Sequence, residues 1–314
     1  YISQGNYTEA LPLYQKSLTI RQKALGADHP DVASSLSNLA LLYQEQGNYT
    51  EALPLYQKSL AIYKKALGAD HPFVATSLNG LASLYQEQGN YTEALPLYQR
   101  SLAIRQKALG ADHPNVATSL NNLALLYQEQ GNYTEALPLY QKSLAIYKKA
   151  LGADHPLVAT NLNNLAVLYQ DQGNITSAIE YSTRGMEVQE IILTTFLATG
   201  SESQKQASMQ KLSLATHQTI SLHLQDAPTN PDAANLSLTT ILRRKGRILD
   251  STINSLQTIR DNPTPENQKL LNKLTNTRTQ LANLFYSKNR PPLEQYRQQL
   301  QDLRRYTIYS VLST

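Results

Sequence analysis

Apolar residues in this chain recur at helical spacing, and the helical pattern itself recurs at a fixed longer interval. Within Leu120 to Gly152, Leu120, Leu123 and Tyr127 fall at i, i+3 and i+7, the apolar stripe of an amphipathic helix. Gln130, Gly131 and Asn132 interrupt that stripe, and Ala136, Leu139, Tyr140, Ser143 and Leu144 carry a second one. Asn132, with Glu135 three residues on, has the form of a capping box, in which the asparagine takes a free N–H and the glutamate reaches back. Gly152 is placed to end the second helix in a left-handed conformation. Asp154-His155-Pro156 then opens another unit, with proline suited to a first helical turn.

The same stretch begins again at Leu36, Leu78 and Leu162, the last copy fading partway, and Gly5, Gly47, Gly89, Gly131 and Gly173 each follow the one before by 42 residues. A fixed period of this length predicts a stacked array of helix pairs. Small residues (Ala124, Ala136, Ser143) alternate with large ones (Leu123, Tyr127, Tyr140), so that helices can approach closely while tyrosines fill the gaps. Pro12, Pro54, Pro96 and Pro138 lie inside the second helices. Each removes a backbone hydrogen bond, which predicts a modest kink tolerated because packing between helices dominates repeat stability. Arg21-Gln22-Lys23 and Arg105-Gln106-Lys107 alternate with Tyr63-Lys64-Lys65 and Tyr147-Lys148-Lys149, the trace of a duplicated pair of units.

The pattern decays after Gly173. Asn174 to Leu197 still reads as a helix with Ala178, Tyr181, Val188, Ile191 and Ile192 on one side, and Gly200 stops it. Ser201 with Gln204 forms another capping box, starting a helix to about Leu224; Asn230-Pro231 opens one to about Arg260, Thr264-Pro265-Glu266 one to about Tyr286, and Pro291-Pro292 a last one. No segment alternates as a strand would. The expected fold is all-α: a superhelical solenoid over residues 1–174, its first helix truncated, then a long-helix bundle over 175–314. Tyr1 aligns with Tyr43, so the chain is expected to be a fragment beginning partway through a repeat.

The Leu-x-x-Tyr and Ala-x-x-x-aromatic spacing resembles the tetratricopeptide repeat. Leucine where that signature has tryptophan, the longer period and the Gly-Ala-Asp-His-Pro linker resemble the kinesin light chain type of that repeat, over residues 1 to about 174. Further on, FLATGSESQKQA, TISLHLQ and LTTILRRKGRILD resemble the helical region that joins such repeats to a CHAT domain, a caspase-like protease of bacteria including cyanobacteria. That resemblance implies a protease with a His and Cys dyad beyond the bundle. The 314 residues contain no cysteine and no caspase-like α/β pattern, so no catalytic residue carries over. The resemblances imply a non-catalytic scaffold for protein or peptide partners, either the recognition and regulatory arm of such a protease or a free-standing kinesin light chain-like adaptor.

Composition narrows the chemistry. Absence of cysteine excludes disulfides, thiolate metal sites and a cysteine nucleophile within these residues. No apolar run is long enough to span a bilayer and no signal peptide is visible, so a cytoplasmic protein with no membrane partner is expected. The Asn-x-Thr sequons at Asn6, Asn48, Asn90, Asn132 and Asn174 read as turn and capping residues. Residues 1–174 carry 12 basic and 13 acidic side chains, and residues 175–314 carry 16 and 11. Neither balance resembles the basic patch of a nucleic-acid binder. Arg243, Arg244, Lys245 and Arg247 could hold phosphate or RNA, but they spread around a helix, which fits a solvated or salt-bridged face better.

His29, His71, His113 and His155 invite a metal reading, but packed helices lie about 8–10 Å apart, too far for equivalent residues to share zinc at about 2.0–2.1 Å. A loop or capping role is expected, with no metal and no cofactor. His217 and His223 share one predicted helix, with His223 packed. The Asp-His dipeptides lack the convergent nucleophile of a triad. The candidate site is the concave side lined by the first helix of each unit. Ser37, Asn79, Asn121 and Asn163 should face inward, with Gln44, Gln86, Gln128 and Gln170 two turns on and Asn38, Asn122 and Asn164 beside them; Gly80 breaks that last row. Asn and Gln offer both donors and acceptors, suited to an extended peptide backbone. The same rows also read as a plain hydrophilic face. Few basic groups line it, so a carboxylate clamp is not expected.

Overall fold

The structure, a computed structural model, describes residues 7–199 and 216–243 and a few positions between 264 and 276. Contacts group Tyr1–Thr240 as one compact unit and Ile241–Thr314 as a second. In the first, helices follow one another as α1 (Tyr7–Leu25), α2 (Pro30–Glu45), α3 (Tyr49–Leu67), α4 (Pro72–Glu87), α5 (Tyr91–Leu109), α6 (Pro114–Glu129), α7 (Tyr133–Leu151), α8 (Pro156–Asp171) and α9 (Ile175–Thr199). Residues 216–221 are helical and run into a π-helical turn, Leu222–Asp226, and 231–243 form another helix. Among the described residues there is no strand, and no helix is long and apolar enough to cross a membrane.

Each even helix packs against the odd helix that follows it and the odd helix before it, so every layer is buried by its neighbours in sequence. The interface is made by small side chains. Ala40, Ala52, Ala82, Ala94, Ala124 and Ala136 are fully buried, which brings the backbones close. At these approaches Ser59, Ser101 and Ser143 are also fully buried, and each donates its hydroxyl to the carbonyl of Ala33, Ala75 or Ala117 at 2.8 Å. Buried polar groups survive in a core when bonded in this way.

The turns differ from the expected chemistry. Asn48, Asn90 and Asn132 stand at N-caps yet make no side-chain cap bond; their amides donate to Gln46, Gln88 and Gln130 instead. The turn is held from the preceding helix. Gly47 N–H donates to the Gln44 carbonyl and Asn48 N–H to the Tyr43 carbonyl, both at 2.8 Å, with Gly47 at φ 74°: a Schellman motif that closes the end of α2. Among Asn48, Asn90, Asn132 and Asn174, only Asn174 accepts as a cap, from Ser177 N–H at 3.1 Å; Asn230 caps the helix after it, accepting from the Asp232 and Ala233 N–H groups. Gly152, expected in the left-handed helical region, has φ 92° and ψ 159°, an extended conformation that belongs to glycine almost alone. The prolines sit on exposed faces of odd helices that continue through them.

Packing of the repeat type extends beyond Asn174, where letter-for-letter repetition stops. Ala178 and Met186 of α9 share a cluster with Leu222 and Leu236. Ser237 donates to the Thr219 carbonyl at 2.5 Å, repeating the serine-to-carbonyl bond of the earlier units. Residues 216–240 therefore cover α9 as a worn further helix pair. Ile191, expected on the packed side of α9, is 48 % exposed. His223 is half-buried with Nδ1 3.4 Å from the Ala227 carbonyl, whereas His217 is exposed. The Ser201 capping box, the helix from Pro291 and the Arg244–Arg247 cluster lie outside the described residues.

One buried group is unsatisfied. Asn161 stands where the earlier units have Ser35, Ser77 and Ser119; its Nδ2 donates to Asn121 Oδ1 at 3.1 Å while its own Oδ1 has no partner. An orphaned buried acceptor costs about 1–3 kcal/mol. Asn161→Ser restores the residue of the other units, and thermal melting should show a more stable protein; a less stable one would mean that the asparagine is bonded in solution.

Candidate functional site

Successive even helices come close at α2–α4 and α6–α8, and no two odd helices approach one another to that extent. The stack therefore curls with its even helices inside. Their open face is read from burial: Ser34, Asn38, Leu41 and Glu45 on α2 are half-buried or exposed, as are Thr76, Gly80, Ser83 and Glu87 on α4, Thr118, Asn122, Leu125 and Glu129 on α6, and Thr160, Asn164, Val167 and Asp171 on α8. The spacing i, i+4, i+7, i+11 is one face of a helix. Four rows thus cross the array: hydroxyls, asparagines broken at Gly80, mainly apolar side chains, and carboxylates.

The expected glutamines do not belong to this open face. Gln44, Gln86 and Gln128 are 4 %, 8 % and 8 % exposed. Each accepts from the tyrosine of its own unit: Tyr56 Oη to Gln44 Oε1 at 3.0 Å, Tyr98 to Gln86 at 2.8 Å, Tyr140 to Gln128 at 3.0 Å. Gln44 Nε2 then donates to Glu87 Oε1 of the next unit at 2.5 Å, and Gln128 Nε2 to Asp171 Oδ2 at 2.7 Å. Both ends of the Gln44 and Gln128 amides are engaged within the protein, and buried Gln86 is held at its oxygen, so the three shape the groove without facing it. Gln170 is half-buried and donates to Asp226 at 2.6 Å, the worn unit supplying the acid that the next repeat would supply. Burial, with nearby carboxylates second except at Tyr98, pushes the Tyr56, Tyr98 and Tyr140 hydroxyls well above their ordinary range.

The expected asparagines are half-buried and tie units together at the groove floor. Asn122 Nδ2 donates to Asn79 Oδ1 at 3.1 Å and Asn164 Nδ2 to Asn121 Oδ1 at 3.0 Å. Ser37 lies 2.7 Å from the Ser59 hydroxyl, and Asn163 fills the space beside Gly185, where a Cβ would stand 2.3 Å from Asn163 Oδ1. Asn38 alone of these is exposed. At Gly80 the Tyr56 ring closes in, and a Cβ would meet its Cε1 at 2.6 Å. The hydroxyl, apolar and carboxylate rows were missed in the sequence; continuing the polar side of each even helix by threes and fours would have found them.

The paired duplication has a structural meaning. Arg21 donates to the Asp31 carbonyl and Ser35, and Arg105 to the Asn115 carbonyl and Ser119. At the alternating position Tyr63 packs on Phe73, centroids 5.4 Å apart, and Tyr147 bonds Thr118 at 2.9 Å. Interfaces between units therefore alternate between a guanidinium on a carbonyl and a tyrosine. Arg105 is buried without a carboxylate, and that burial lowers its hold on the proton.

The histidines act as caps. Nδ1 of His29, His71, His113 and His155 accepts from the N–H two residues on, at 3.1–3.2 Å. No group of metal-ligating side chains assembles among the described residues. On the outer side Asp28 pairs with Lys65, Asp70 with Lys107 and Arg100, and Asp112 with Lys149, each lysine lowering the carboxyl it meets.

The sequence matches the tetratricopeptide repeat model over 1–65, 31–106, 73–149 and 116–191, well over half its length. The chain belongs to the tetratricopeptide repeat family, and its repeats are of the kinesin light chain type. Among solved structures it is similar to BtubC (BKLC) from P. vanneervenii, at 20 % identity and TM-score 0.59 over 80 % of this chain and 93 % of that one, which shows the fold alone. It is also similar to a variant form of a Podosopora anserina putative kinesin light chain with nearly identical TPR-like repeats, at 32 % identity and TM-score 0.50 over 59 % of this chain and 88 % of that one. No curated protein matches.

The buried tyrosines set the alkaline limit. Their phenols stay neutral in the folded protein at pH values where unfolded tyrosine, near 10.0, ionises. A raised folded value means stability fully present below pH 10 and lost as pH rises beyond it. Titration by phenolate absorbance should show exposed tyrosines ionising near pH 10 and a second, cooperative group ionising only as helical circular dichroism is lost. One smooth titration of all 20 tyrosines with helicity intact would contradict the burial.

Proposed function

We propose that this chain is a non-catalytic protein-interaction scaffold that holds a peptide or protein partner on the inner face of its even helices. The observation that carries the reading is apolar exposure on that face: Leu41 is 41 % exposed, and Leu125 and Val167, at the equivalent positions of α6 and α8, are half-buried. Large apolar side chains open to water in line with one another are what a partner covers. Half-exposed Asn79, Asn121, Asn122, Asn163 and Asn164, with Ser37, Asn38 and Gln170, supply donors and acceptors beside them, suited to a backbone. This reading gives the inner face no nucleic-acid or membrane partner, because α2, α4, α6 and α8 contain no lysine or arginine to meet phosphate. The setting is cytoplasmic.

In the fuller reading the scaffold is the recognition and regulatory arm of a CHAT-type protease, partner binding being transmitted through residues after the array. The second reading is a free-standing adaptor of the kinesin light chain type, favoured by the repeat type itself. Affinity capture from the source cells, with the full chain and with Asn38→Arg/Asn122→Arg, tests both. The substitutions should abolish capture while leaving thermal melting near that of the parent; capture that persists would remove the inner face from the account. Capture that survives deletion of 241–314 is the adaptor's signature, whereas the arm requires that deletion to alter the output of an attached protease.

A further inference from the structure

Charge is segregated between the two sets of helices. Every basic residue of positions 1–174 lies on α1, α3, α5 or α7, where outer-loop aspartates meet several of them. The even helices carry only acids, and four of these, Glu45, Glu87, Glu129 and Asp171, form one row, each the last residue of its helix. That position is electrostatically wrong for a carboxylate, because the negative end of the helix dipole lies there and favours a cation. A local rule broken at the same place in four successive units points to a use outside the helix itself. Amides of the preceding units engage Glu87 and Asp171 in part, whereas Glu45 and Glu129 have neither a hydrogen bond nor a cation among the described residues.

Beside the carboxylates runs the apolar row of Leu41 and Leu125. We propose that this inner face docks a basic, extended peptide segment carrying lysine or arginine at every third position, its cations over the carboxylate row and its intervening side chains against the leucines. The inference rests on the scaffold reading and names the partner's chemistry. Spacing supports it. Where successive even helices come close, at α2–α4 and α6–α8, packed helices lie about 8–10 Å apart. A polyproline-type strand rises about 3.1 Å per residue and returns to the same face every third residue, so its cations fall about 9 Å apart on one side. Such a strand makes no internal hydrogen bonds, and its free amides and carbonyls suit the asparagine side chains alongside.

The test uses the full chain and three synthetic probes: tandem Lys-Ala-Pro triplets, a peptide of the same composition with its lysines contiguous, and tandem Glu-Ala-Pro triplets, each titrated calorimetrically at low and high salt. Lys-Ala-Pro should bind, weaken as salt rises, and exceed the contiguous peptide by about tenfold, as several exposed charge pairs formed together would provide. Glu45→Gln/Glu129→Gln should weaken it by about tenfold with melting unchanged or raised, since the substitutions also relieve the helix dipole. Glu45→Lys/Glu129→Lys should transfer the preference to Glu-Ala-Pro. Equal binding of Glu-Ala-Pro by the parent chain, or full binding by the glutamine variant, overturns the proposal, and equal binding of the contiguous peptide overturns the every-third spacing. If Asn38→Arg/Asn122→Arg abolishes capture of the natural partner but Lys-Ala-Pro does not bind, the basic-peptide inference fails alone; if capture ignores that variant, the scaffold reading fails with it.

Discussion

One side chain, repeated, joins three helices. Gln44 accepts from Tyr56 on the odd helix of its own unit and donates to Glu87 on the even helix of the next, and Gln128 does the same between Tyr140 and Asp171. A single helix pair has too little interior to be stable, so the array holds only if each unit is fixed against its neighbour. Whereas Gln86 accepts from Tyr98 without reaching a carboxylate of the following unit, at these two interfaces the amide does this at the floor of the groove, with both of its ends satisfied. It also brings the carboxylates into register along the inner edge. Where the next repeat is missing, Gln170 finds Asp226 instead, and the array closes on a worn copy of itself.

The fold was legible because the period is nearly exact and each helix carries its own apolar stripe. The proline-led starts of the even helices and the glycines with positive φ could likewise be read from residue type. The site was legible only in part. Asn38 and Asn122 do reach the open side, but an amide row looks alike whether it faces a ligand or a neighbouring unit. Gln44 and Asn122 point to partners 43 residues away, and a single unit's pattern does not contain that contact. Capping misled for a related reason. Asn132 has the right letter and spacing, but the Schellman turn at Gly131 had already fixed the backbone.

The alternating Arg and Tyr positions show how near-identical units can still differ where it matters. Arg105 with Asn115, and Tyr63 with Phe73, are matched pairs ten residues apart across an interface between units. Each interface has its own bond, which holds the register of the stack without altering the inner surface. That surface keeps its hydroxyl and carboxylate rows through the duplication, while Gly80 and Ser83 interrupt the asparagine and apolar rows at α4.

The most direct measurement places a photoreactive side chain at Asn122, on the inner face, and separately at Lys142, exposed on an odd helix, in the full chain within its source cells. The account predicts a partner adduct from position 122 and none from 142. Adducts from 142 with none from 122 would put the binding surface on the outside of the stack and contradict it.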